Sequence, residues 1–173
     1  MPKKKLKSKK PLAKKQIKQI RTSVTKLLDK AGVKYKAFEH KVVYTAHDAA
    51  QTTKKKLSEI AKVVLVKADK DFVLIVLPAG KYVDFKGIKK ALKAKKVSMA
   101  SEKDITKYLK TKVGLLHPFG SEYNLKTLLD KGMSKSKKMV ASAGTFTDSV
   151  EVALKDFQKL VKPILGNFSK SKK

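Results

Sequence analysis

Lys62 interrupts an otherwise apolar run, Ile60-Ala61-Lys62-Val63-Val64-Leu65-Val66. Burying an ammonium without a partner is unfavourable. The side chain therefore either turns to the solvent face of a strand or enters a pocket that needs a fixed positive charge. Two glycine-containing loops could serve such a pocket: Val113 to Gly120, with Gly114, His117, Pro118 and Gly120, and Ser142 to Ser149, with Gly144 and Asp148. Glycine lets a ligand approach the main chain, though both stretches also read as ordinary turns. The three histidines, His40, His47 and His117, sit in loops or at element ends, as ligands or as plain surface and capping groups. There is no phosphate-binding loop ending in Gly-Lys-Ser/Thr, no Gly-x-Ser-x-Gly elbow and no His-Glu-x-x-His.

These residues need elements to hold them. Ile17, Ile20, Val24, Leu27 and Leu28 recur at helical spacing from Gln16, and Gly32 stops the helix. Val33 to Glu39 reads as a strand, and Thr45-Ala46-His47-Asp48 has the spacing of a capping box, which opens a short helix. Ala61–Val66 and Phe72–Leu77 flank a polar turn and predict an antiparallel hairpin that carries Lys62. Asp84 caps a helix with Phe85, Ile88 and Leu92 inside, and Ser101 to Asp104 is a second capping box. Strands follow near 96–99, 125–130, 138–143 and 149–152, and a last helix from Leu154 ends before Pro163. The order is irregular, without the even βα alternation of a doubly wound sheet. The expected class is a mixed α/β (α+β) domain.

The chain has 173 residues, enough for one domain with its own core. Its 43 basic against 14 acidic residues give a net charge of +29, a field that attracts polyanions, nucleic acid first and anionic membrane second. With no cysteine, a cysteine nucleophile, a disulfide framework and the usual cysteine-containing zinc sites are excluded. No apolar stretch approaches a membrane span, and no apolar signal segment follows the lysine-rich start, so a cytoplasmic protein is expected. Residues 1–15 read as a basic, disordered arm, 16–165 as the domain and 166–173 as a second basic tail.

The order of the pieces says more than any piece. Glu39-His40-x-x-Val43-Tyr44-Thr45-Ala46, then Lys62 in its strand, then Val76-Leu77-Pro78-Ala79-Gly80 resembles the start of the YbaK family. That family holds the aminoacyl-tRNA deacylases and the editing domain of prolyl-tRNA synthetase. Asp84-Phe85-Lys86, Lys95-Lys96-Val97, Met99-Ala100, Gly114 through Pro118-Phe119-Gly120, and Ala143-Gly144-Thr145-x-Thr147-x-Ser149 continue the resemblance over about residues 20–162.

The resemblance implies a barrel-like mixed β-sheet flanked by short helices and enclosing one pocket. It implies hydrolysis of the ester that joins a wrong amino acid to the 3′ adenosine of a tRNA, with no cofactor and no metal. Lys62 falls on the family's functional lysine. Tyr44, Thr45, Gly114, Pro118, Gly120, Gly144, Asp148 and Ser149 fall on the segments that bind substrate. An aminoacyl ester is already activated, so positioning, a fixed cation and backbone donors for the oxyanion suffice, with water or a substrate group as nucleophile. His117 and Asp148 are the candidates for a general base. Two positions depart from the family: His117 where a small residue commonly precedes the proline, and Val63 where a small polar residue often follows the lysine.

Lys3, Lys4, Lys5, Lys7, Lys9, Lys10, Lys14 and Lys15 would bind the tRNA body through phosphates. A synthetase is a second candidate partner. The competing readings are a non-catalytic RNA-binding module on the same fold, and a basic ribosome-associated protein.

Overall fold

The computed structural model describes residues 21–172. The eight arm lysines, and Ile17 and Ile20 of the expected first helix, lie outside the described residues. Helix α1 (Ser23–Lys30) begins at a capping box in which Thr22 and Thr25 satisfy each other's backbone amides. Val24 and Leu28, one turn apart, are fully buried. Strand β1 (Tyr35–Glu39) follows, then helix α2 (Ala46–Thr53), capped by Thr45 and Asp48 as the sequence predicts.

Strands β2 (Ala61–Ala68) and β3 (Asp71–Pro78) form the expected hairpin in an eight-residue antiparallel register. Its turn is shorter than the sequence suggests, because pairing continues out to Ala68 and Asp71. Asp69 takes the left-handed conformation (φ +54°) that aspartate tolerates, and its carboxylate accepts from the amides of Lys95 and Lys96. Strand β4 (Tyr82–Val83), helix α3 (Phe85–Leu92) and strand β5 (Val97–Met99) come next, with Asp84 capping α3. The Ser101 capping box opens α4 (Glu102–Asp104), which widens into a π-helical turn over Ile105–Leu109. The remainder comprises β6 (Lys126–Asp130), β7 (Lys138–Ser142), β8 (Asp148–Ala153), α5 (Leu154–Val161), β9 (Ile164–Gly166) and β10 (Ser169–Lys170).

The sheet is divided. Five strands run in the order β5-β2-β3-β6-β9, with β3, β6 and β9 mutually parallel and the others antiparallel. Three more, β1-β8-β7, are antiparallel, and β4 pairs with β10. A parallel bridge between Ile60 and Val140 joins the two larger sheets. Helices α1 and α5 pack Val24, Leu28, Leu154 and Phe157 against Met139, Val150 and Val152 of the smaller sheet. Helix α3 packs Ile88 with Val66, Ile75 and Leu77 on the larger one. The mixed α/β class expected from the sequence is the class observed.

One expectation is corrected. The stretch read as a basic tail from residue 166 is part of the fold to Lys170: Phe168 is 1% exposed, and β10 pairs with β4. Buried Asp130 accepts from the amide of Phe168 (2.7 Å) and the hydroxyl of Ser169 (2.9 Å). Lysine spacing concealed this single aromatic anchor. Among the described residues no helix is long and apolar enough to cross a membrane.

Candidate active site

Alternation along β2 puts Lys62 on the face shared with Val64 and Val66, which pack toward α3 and Phe168. Lys62 lies at the end of that face and is half-buried. Its Nζ donates to the backbone carbonyl of Lys81 and stands 5.1 Å from the centre of the Tyr82 ring. Burial pushes its pKa down. One of the ammonium's three protons is engaged by Lys81, and Lys62 lines a cavity of about 280 Å³. The solvent-face alternative for this lysine is thereby set aside.

The cavity runs along the edge of β2. Pairing with β5 covers only Val66 to Ala68. The carbonyl of Leu65 accepts from Ala100 on the β5 side, so by antiparallel alternation the N–H and C=O of Val63 point the same way, away from β3. Val63 lines the cavity there. Helix α2 closes one side through Thr45, Ala46 and Ala49, and β7 and β8 contribute Val140, Ser142 and Ser149. Asp48 accepts from the amides of Tyr44 and Thr45 and fixes that corner. Buried Glu151 pairs with Lys55 beyond α2 and with Lys138 at 3.6 Å, and so ties α2 to β8.

Tyr44 forms the rim. It is 70% exposed, and its ring lies 5.3 Å from that of Phe146 at a tilt of 52°. Gly114 has φ +87°, and a Cβ there would stand 3.3 Å from the carbonyl of Tyr44 and 3.4 Å from the Phe146 ring. Only glycine lets this loop close against the rim. The amides of Leu115, His117 and Gly120 are taken by Lys112, Tyr123 and Pro118. Val113, Gly114 and Leu116 are the residues of this loop that line the cavity.

The structure thus brings together Lys62, Tyr44, Thr45, Gly114 and Ser149, and leaves His117, Pro118, Gly120, Gly144 and Asp148 outside the lining. Pro118 and Gly120 are buried, and a Cβ on Gly120 would collide with Thr127 Oγ1, so this end of the loop serves close packing. The carboxylate of Asp148 accepts from the hydroxyls of Thr145 (2.5 Å) and Thr147 (3.2 Å) and orients Thr145, which does line the cavity. Gly144 (φ +91°) sits over His117, with 3.7 Å from its Cβ position to His117 Cδ2.

The expectation for His117 is corrected. It is 4% exposed, stacked on Tyr123 with ring centres 4.4 Å apart, and braces the two glycine loops from beneath. Its Nδ1 has no hydrogen-bond partner, and burial lowers its pKa to about 4. A neutral, enclosed imidazole neither narrows this cavity nor supplies its base. Because the folded pKa lies below the ordinary 6.5, the unfolded chain binds the extra proton between those values. The associated stability is complete above pH 6.5 and is lost as pH falls toward 4, on the order of 3 kcal/mol. His117→Phe, which keeps the stack, is expected to flatten the melting temperature over that window relative to wild type. Equal slopes for the two proteins would contradict this.

Sequence reasoning missed one contact. Ser149 Oγ lies 2.8 Å from Nε2 of His40, 109 residues away, because β1 pairs with β8 and sets Glu39 opposite Asp148. Both residues stand in the motifs singled out above, but nothing local to either pairs them.

Three comparisons bear on this geometry. A family model described as the aminoacyl-tRNA editing domain matches residues 40–160. A prolyl-tRNA editing protein, ProX, from Acetoanaerobium sticklandii is 25% identical over 141 residues, which cover 78% of this chain and 86% of that protein. Two crystal structures share the fold at 18% identity. One, of a candidate trans-editing enzyme for prolyl tRNA synthetase, has a TM-score of 0.77 over 86% of this chain and 95% of its own. The other, of a hypothetical protein, has 0.79 over 85% and 99%.

Proposed function

Because the chain belongs to the aminoacyl-tRNA editing domain family, we propose that it is a trans-acting deacylase that hydrolyses the ester of a mischarged tRNA. The observation that carries this reading is the half-buried Lys62 ammonium, anchored on Lys81 and Tyr82 and lining a cavity that also holds Ser149 and Gly114. A lysine that only binds phosphate needs no enclosure, whereas a charge acting on a reacting ester gains strength from partial desolvation. The exposed Tyr44 face takes the terminal adenine by stacking, and the amino acid enters the cavity. Lys62 holds the 3′ end or the ester carbonyl as a fixed cation in a poorly solvated site. The backbone at Gly114 and Leu116 supports the oxyanion as water attacks. Val63 offers an N–H and a C=O along the β2 edge to the α-amino acid group.

A cavity of about 280 Å³ has room even for an aromatic side chain, since about 150 Å³ accommodates benzene, so selection among amino acids falls to the contacts along the lining rather than to volume. The relatives' names point to tRNA that prolyl-tRNA synthetase charges, and that synthetase is the proposed partner. The test is a panel of this tRNA charged with alanine, serine, cysteine, proline and phenylalanine. Release of one or more of these residues, at rates that differ between them, is expected. Equal release of all five would contradict a substrate selected by the cavity lining.

The domain proposed for this activity contains residues 21–170, with the arm before it binding the tRNA body. Deleting residues 3–18 is expected to weaken tRNA binding and to reduce its salt dependence, by roughly 0.7–0.9 in log–log slope for each phosphate that the arm neutralises. Single-turnover release at saturating protein should change little. Unchanged affinity and slope would show that the arm does not bind the tRNA.

A further inference from the structure

Ser149 shares the cavity with Lys62, and its contact with His40 has the geometry of a working pair. Ser149 is 3% exposed and lines the cavity. His40 Nδ1 lies 2.8 Å from the carbonyl oxygen of Lys41. A carbonyl can only accept, so in the neutral imidazole the proton sits on Nδ1 and Nε2 carries the lone pair. Nε2 lies 2.8 Å from Ser149 Oγ, so the serine hydroxyl donates to histidine and its oxygen lone pairs are available on the cavity side. The backbone holds the ring in place: the amide of His40 donates to the carbonyl of Thr147 at 2.8 Å, and the β1–β8 register fixes Ser149 opposite Phe38. A nucleophile-side hydroxyl, an imidazole and a group that orients the imidazole are the parts from which hydrolytic enzymes build proton transfer.

We propose that Ser149 and His40 form a proton relay for the attacking water in ester hydrolysis, an inference that rests on the deacylase reading above. Water bonded to Ser149 Oγ attacks the ester carbonyl carbon. Its proton passes to Ser149 Oγ while the serine proton passes to His40 Nε2, leaving a tetrahedral oxyanion and an imidazolium. Collapse breaks the bond between the carbonyl carbon and the ribose oxygen. The same proton returns through Ser149 to that oxygen, giving free amino acid and a tRNA 3′ hydroxyl. Ser149 touches the reacting water and is catalytic in this scheme; His40 acts through it. No covalent enzyme intermediate forms.

The test uses the full chain with mischarged tRNA under single-turnover conditions. Ser149→Ala and His40→Gln are each expected to lower the rate about 100-fold, within the range of general-base contributions, with tRNA affinity changed less than about threefold. Glutamine can still accept the serine hydrogen bond but cannot carry the proton, so a merely structural His40 would leave His40→Gln active. His40→Ala should regain activity with added imidazole, a readout that a folding defect does not give. Release by wild type that persists in His40→Gln overturns the relay alone. An aminoacyl adduct on Ser149 after acid quench overturns it in favour of a serine nucleophile. No release by wild type from any charged tRNA overturns the deacylase reading and the relay together.

Discussion

Lys62→Ala is expected to reduce single-turnover deacylation by about 100- to 1,000-fold, the size of effect seen when one preorganised electrostatic group is removed from an active site. The binding constant for uncharged tRNA should stay within about threefold of wild type, because phosphate contacts carry most of that affinity. The Lys62 Nζ is held between the Lys81 carbonyl and the Tyr82 ring, so no reorganisation precedes reaction, and burial already disfavours its charge. A lysine kept for stability would behave in the opposite way. Lys62→Met, similar in shape but without the charge, is expected to melt at or above the wild-type temperature while losing activity as Lys62→Ala does. A Lys62→Met protein that melts lower and still cleaves would assign the residue to the fold.

Phe168→Ala is expected to cost about 3–5 kcal/mol, the usual range for emptying a buried aromatic site. For a chain of this length that corresponds to a fall of roughly 10 °C in melting temperature. Phe168 is 1% exposed and packs with Ile88, Ile75 and Leu128, and its amide supplies one of the three hydrogen bonds to Asp130. The effect should reach the site as well. Ser169–Lys170 pairs with Tyr82–Val83, and the amide of Asp84 donates to the carbonyl of Phe168 at 2.8 Å. The C-terminal strand thus steadies the Lys81–Tyr82 segment that holds Lys62. Deacylation by Phe168→Ala is expected to fall at temperatures where circular dichroism still reports a folded protein. Loss of stability with full activity below the transition would uncouple the clasp from the lysine.

The hairpin that carries Lys62 was legible in the sequence because two apolar runs flank a polar turn, and the three capping boxes at Thr22, Thr45 and Ser101 are chemistry local to four residues. Residue spacing identifies the second and third; the first falls inside the helix expected from Gln16. What stayed hidden depends on long-range pairing. The bridge between Ile60 and Val140 and the contact between His40 and Ser149 join residues 80 and 109 positions apart, and no local pattern reports which strand edges meet. His117 misled for a related reason: beside a proline and two glycines it has the composition of a site loop, while its stacking on Tyr123 and contact with Gly144 are settled only by packing. The lysines near the C-terminus masked Phe168, whose single aromatic side chain turns an apparent tail into a paired strand.

The most direct test of the account is decay of a mischarged tRNA mixed with excess wild-type protein, followed by both the bound label and the length of the RNA. Loss of the amino acid at least ten times faster than spontaneous hydrolysis is expected, with the tRNA left full length and able to be recharged. Tight binding of the charged tRNA with no acceleration of label release would contradict it, and would make the cavity around Lys62 part of an RNA-binding surface.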